Sequence, residues 1–88
     1  MLFMVIERFK DVPAIGARFA RMGRMLPDGV IYHASWVEPS GQRCFQIMEA
    51  DSAERIEAWA SRWADLADFE ITAVLTSQAF WAGRVDRG

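Results

Sequence analysis

Four stretches of this 88-residue chain alternate in side-chain character every second residue, and two stretches between them repeat apolar groups every three to four residues. In chain order they read strand, helix, strand, strand, helix, strand. The strands carry apolar groups on both faces. Two helices cover one face of one sheet, which leaves the second face in want of a partner. Length sharpens the point, because 88 residues make one domain near the lower size limit for folding without staples. The hydrophobic fraction of 52% exceeds the ordinary ~45–50%. Four Trp and six Phe are costly to leave wet, so the surplus points to burial between subunits.

Strand one runs from about Leu2 to Phe9, apolar on both sides until its end, as a central strand should be. Asp11 then offers a capping carboxylate and Pro13 a first-turn proline for helix one. Ile15, Phe19, Met22 and Leu26 share one stripe of that helix, while Arg18, Arg21 and Arg24 share another. Leu26-Pro-Asp-Gly29 supplies the turn. Strands two and three, about Val30–Glu38 and Arg43–Ala50, form a hairpin through Pro39-Ser-Gly-Gln42. Pairing Glu38 with Arg43 sets Trp36 opposite Phe45, Ala34 opposite Ile47 and Tyr32 opposite Glu49. The other face then pairs Val37 with Cys44, Ser35 with Gln46 and His33 with Met48. Asp51 and Glu54 have the spacing of a capping box. Ile56, Trp59, Ala60, Trp63 and Leu66 follow as the apolar stripe of helix two, and Phe69–Thr76 reads as strand four.

This order is that of an α+β, ferredoxin-like βαββαβ fold with a four-stranded antiparallel sheet, strands one and three central. Residues 1–76 form the domain, and 77–88 a tail with a short docking helix that carries Phe80 and Trp81 before fraying at its charged end. Over nearly its whole length the chain resembles a family of short bacterial proteins known as domain of unknown function 3303. The resemblance is carried by Met1-Leu-Phe-Met-Val-Ile-Glu-Arg8, Gly23-Arg-Met-Leu-Pro27, Ser35-Trp36-Val37 and Arg43-Cys-Phe-Gln-Ile-Met-Glu49. Trp59, Trp63, Asp65-Leu66 and Phe69-Glu70-Ile71 complete it. It implies a dimeric α/β barrel, a homodimer in which two such sheets pack face to face. That superfamily includes cofactor-independent antibiotic-biosynthesis monooxygenases, haem-degrading enzymes and small stress-responsive proteins; no activity comes with this family itself.

Charge and composition narrow the function classes. A net charge of −2 argues against general nucleic-acid binding, although residues 1–43 carry six Lys/Arg against four Asp/Glu and the remainder four against eight. The single Cys44 excludes an internal disulfide and a cysteine-cluster metal site. No stretch approaches the ~20 apolar residues of a membrane span, and Met1–Ile6 is too short for a secretory core. A reducing cytoplasm is the simplest location. No Gly-rich phosphate loop, nucleophile elbow or metal-ligand spacing appears, so no cofactor or metal is called for.

The candidate site residues each have a plain structural reading beside the functional one. Trp36, Trp59 and Trp63, with Phe45 and Tyr32, either fill the core or, if Trp36 faces the helices, wall an apolar cavity between sheet and helix two. Gln46, Glu49 and Glu7 supply that cavity's polarity. Glu7 and Glu49 end central strands one and three, which are expected to run parallel and so to bring the two carboxylates close together on one face, where a buried one keeps its proton and serves as acid or base. Otherwise both sit at the rim, paired with Arg8, Arg43 or Lys10. His33, the only histidine, is a ligand or base at most if other groups join it. Cys44 beside Arg43 reads as a small buried group, since no base accompanies it. Arg18, Arg21 and Arg24 read as a solvated face, with anion binding as the alternative. Three function classes follow: a binder of a small apolar or aromatic molecule, a cofactor-independent monooxygenase or isomerase, and an interaction module without a ligand.

Overall fold

The alternation sets the strands as expected, and their hydrogen bonds fix the order. A computed structural model describes residues 1–84 and contains β1 (Leu2–Phe9), α1 (Val12–Met22), β2 (Ile31–Val37), β3 (Arg43–Glu49), α2 (Ala53–Ser61), β4 (Ala67–Val74) and α3 (Ser77–Ala82). One antiparallel sheet runs in the order β2-β3-β1-β4, so β1 and β3 are central. This is an α+β fold in the βαββαβ order, with a short third helix. The charged end expected to fray, 85–88, lies outside the described residues.

Local chemistry explains most boundaries. Asp11 Oδ1 accepts the Ala14 N–H at 3.1 Å, and Gly23, at φ 66°, ends α1 by donating its N–H to the Phe19 carbonyl. The hairpin closes where Glu38 N–H donates to the Arg43 carbonyl and Gly41 takes a φ of 76°. A bidentate pair at 2.9 Å between the Glu38 and Arg43 side chains holds it. At the α1–β2 turn, Gly29 has a φ of 83°, and a Cβ there would come within 3.2 Å of the Arg55 guanidinium. The expected capping box at α2 does not form. Ser52 is the N-cap, and Asp51 binds Arg55 at 2.7 Å instead. Strand four begins two residues earlier than the sequence implied, and Thr76 leaves it to cap α3 through the Ala79 N–H.

The hairpin register matches the sequence reading at Trp36–Phe45, Ala34–Ile47, Ser35–Gln46 and Val37–Cys44, and departs from it beyond. A bulge between Tyr32 and Ala34 inserts His33, so Tyr32 pairs with Met48 and Ile31 with Glu49. Tyr32 therefore turns to the helix side, where its hydroxyl meets Ser35 Oγ at 2.7 Å.

The core lies between the sheet and α2. Phe3, Val5, Met48 and Ile56 are fully buried, and Trp59 stands edge-on to Phe69 with ring centroids 5.4 Å apart. Helix α1 behaves differently, for it buries no residue completely and its stripe residues Phe19 and Met22 are largely exposed. It is tied down at Arg18, which makes a bidentate pair with Asp65 at 2.7 and 2.8 Å. The gap it leaves over the sheet is where the candidate site lies.

Candidate functional site

The odd-numbered residues of β1 and the even-numbered residues of β3 face the helices. This brings Glu7 beside Cys44 and puts Gln46 next along the strand. Above them stand Ile15 and Phe19 of α1 and Trp59 and Trp63 of α2 with its following turn. Ser35 and Val37 of β2, Phe9 of β1 and Arg24 of the loop after α1 complete the lining. The cleft so formed holds about 180 Å³. That is below the ~300 Å³ of ordinary drug-sized sites, but an apolar cavity of about 150 Å³ takes up benzene. The cleft suits one ring.

Its floor carries the polar chemistry. Gln46 Nε2 donates to Glu7 Oε1, and both side chains are buried. Burial pushes the Glu7 carboxyl up to about 7; hydrogen bonds from Cys44 and Gln46 and the charge of Arg24 hold it from rising further. Burial, then the neighbouring Glu7, pushes the Cys44 thiol up to about 12, which keeps it a neutral donor and no nucleophile. Glu7 can therefore hold or release a proton near neutral pH at the floor of a largely apolar cleft.

The roof is pinned by one backbone atom. The Arg24 carbonyl accepts the indole N–H of Trp59 at 2.9 Å and of Trp63 at 3.1 Å. This satisfies both buried donors and fixes the two rings at the cleft wall. The Arg24 guanidinium stacks 3.6 Å above the centroid of Tyr32 and 5.1 Å from that of Phe19.

Of the residues singled out in the sequence, Glu7, Gln46, Trp59 and Trp63 meet in this cleft, and Tyr32 borders it through Arg24. Trp36 does not. It lies on the opposite face beside Phe45 and is 60% exposed, because the strand parity that directs Ser35 and Val37 inward directs Trp36 outward. The carboxylate pair is likewise corrected. Central strands β1 and β3 are antiparallel, so Glu7 lies across from Cys44 while Glu49 lies across from Leu2, at the other end and on the other face. Glu49 there meets His33 Nε2 at 2.8 Å, as an exposed pair away from the cleft. Arg24 was not foreseen as part of the site, since its three-residue spacing from Arg21 resembles a solvated face. The positive-φ pair Gly23 and Met25 that aims it leaves only its glycine as a signal.

Among the described residues, no group of three or more His, Cys, Asp and Glu gathers as a metal site, and no helix is long and apolar enough to cross a membrane. The fold and cleft define a small α+β domain with a half-open, largely apolar recess on one sheet face and a bare apolar surface on the other. The family model described as Domain of unknown function (DUF3303) matches residues 1–84, and the chain belongs to that family. No curated protein and no solved structure matches the chain.

Proposed function

We propose that this protein binds a small apolar or aromatic molecule, of single-ring size, in the cleft between the sheet and helices α1 and α2. The observation that carries the proposal is a recess of about 180 Å³ whose walls are mainly aromatic and whose floor is a buried Glu7–Gln46 pair. Packing alone would have filled that space, and a buried carboxyl is a costly group to place in a merely structural core. Four indole N–H signals offer a built-in assay, since Trp59 and Trp63 line the cleft while Trp36 and Trp81 lie outside it and are exposed. In ¹⁵N-labelled protein, benzyl alcohol is expected to shift the first two signals and leave the second two in place. Equal movement of all four, or of none, refutes the proposal.

A second reading, acid–base catalysis of the isomerase or cofactor-independent oxygenase kind, is favoured by Glu7, whose carboxyl titrates at about 7 within the cleft. Its ionised form would take a proton from carbon next to a carbonyl group, with apolar walls excluding water. Solvent deuterium entering cyclohexanone next to its carbonyl is the test. The rate is expected to rise with pH through about 7 and to vanish in Glu7→Gln. An unchanged rate in that variant rules the reading out.

The partner most consistent with the remaining surface is a second copy, as a homodimer through the open sheet face. Ile31 and Trp36 are more than half exposed there, Met4, Ile6, Phe45 and Ile47 share that face only half-buried, and the Cα radius of gyration is 14.9 Å where about 12 Å is usual for this length. Apolar patches of this kind mark protein contacts. Sedimentation equilibrium at micromolar concentration is expected to give twice the chain mass for the wild type and the chain mass for Ile47→Glu. A wild-type monomer overturns it. A cytoplasmic location accords with the single buried thiol.

A further inference from the structure

The geometry points to an anionic ligand for this cleft: a single flat ring bearing a carboxylate, gripped by the Arg24 guanidinium, with the Glu7 carboxyl donating a hydrogen bond to it. The inference rests on the small-molecule reading above and adds the charge of the molecule. Arg24 is held more firmly than a surface arginine needs to be. Gly23 and Met25 on either side take φ values of 66° and 58°, and the carbonyl between them is fixed by two indoles. The guanidinium carbon sits 3.6 Å over the Tyr32 ring centroid, an aromatic contact that uses none of its N–H donors. Among the described residues no carboxylate lies within ion-pairing distance of Arg24; Arg21, Arg62 and Arg84 share that lack, but Arg24 alone of the four lines the cleft. A preorganised, unpaired fork lining a largely apolar recess matches a carboxylate bidentately and repels a cation.

The floor then sets the protonation of the complex. Glu7 is faced by Cys44 and Gln46 from β3 and by Arg24 from the loop. Ser35 is the one other polar side chain lining the cleft, and α1, α2 and β4 present no ionisable group to it. Two carboxylate charges in one largely apolar cleft oppose each other, so the ligand's arrival favours the protonated form of Glu7. That proton is readily held because burial already raises the Glu7 carboxyl to about 7. The competent, protonated fraction falls from roughly 0.9 at pH 6 to roughly 0.1 at pH 8, so affinity for the anion should fall about tenfold over that range.

Benzoate, benzyl alcohol and benzylamine share a ring and differ in charge, and the full chain is titrated with each while the four indole N–H signals are followed. Benzoate is expected to bind at least tenfold more tightly than benzyl alcohol at pH 6, with benzylamine weakest and only Trp59 and Trp63 responding. From pH 6 to pH 8 benzoate should weaken about tenfold while benzyl alcohol stays level. Arg24→Gln should erase the preference for benzoate and Arg24→Lys should retain part of it. The wild-type pH series stands as the test if either variant fails to fold. If benzyl alcohol binds as tightly as benzoate, or benzoate shows no pH dependence, the anion inference fails while ring binding stands. If none of the three moves Trp59 or Trp63, both fail together.

Discussion

Replacing Glu7 by glutamine should make the protein more stable above neutral pH, although the substitution removes a group from the centre of the cleft. Burial raises this carboxyl from 4.5 to about 7 in the folded chain. Below the lower value both folded and unfolded chains hold the proton. Between the two values only the folded chain does, so each pH unit there costs about 1.4 kcal/mol of folding free energy. The full loss is about 3 kcal/mol, complete just above pH 7 and constant beyond. The neutral amide in Glu7→Gln would carry no such loss, and its carbonyl oxygen can still accept the Gln46 N–H. Urea denaturation of both proteins at equal concentration, at pH 5 and pH 8, measures the difference directly. Glu38 and Asp65, held below the usual carboxylate range by Arg43 and Arg18, titrate alike in both proteins and cancel. The variant should gain on the wild type by roughly 2–3 kcal/mol between the two pH values, on the order of 10 °C in Tm at pH 8. A gap that stays constant with pH would show that Glu7 is not desolvated and would remove the electrostatic basis of the site.

Other perturbations test separate parts of the structure. Ile56→Ala removes a fully buried side chain between α2 and the sheet and should cost about 2–5 kcal/mol in denaturant titrations. Gly29→Ala places a Cβ within 3.2 Å of Arg55 at a φ of 83° and should destabilise by about 1–2 kcal/mol, read as a lower Tm. Breaking the Arg18–Asp65 pair with Asp65→Asn should leave the melting temperature little changed while hydrogen exchange quickens along α1, because that exposed pair is the helix's main tether. Uniform exchange across α1 and α2 in that variant would refute the tether.

The element order was legible because each boundary carries its own chemistry: Asp11 and Pro13 before α1, Pro27-Asp-Gly29 before β2, and the Pro39–Gln42 turn. The register near that turn was legible too, since Glu38 and Arg43 can pair there. Two things were not. An apolar stripe reads the same whether its helix is docked or held ajar, so the exposure of Phe19 and the gap beneath α1 left no mark in the spacing. The meeting of Glu7 with Glu49 is a different case, because an antiparallel sheet with β1 and β3 central already opposes those strands and keeps the two carboxylates apart. Arg24 owes its inward aim to the backbone dihedrals of its neighbours, of which only Gly23 announces itself by residue type.

The additional residue at His33 gives β2 two halves of opposite parity. Toward the hairpin, Trp36 belongs to the bare surface; nearer the start of the strand, Tyr32 faces the helix side and props up Arg24. Point substitution cannot undo that division of labour, because the count of residues sets it. Deleting one residue there would straighten the strand and force one end to change sides, stripping either the arginine of its platform or the outer sheet of its indole. Chain length at this single place keeps the two surfaces of the molecule chemically separate.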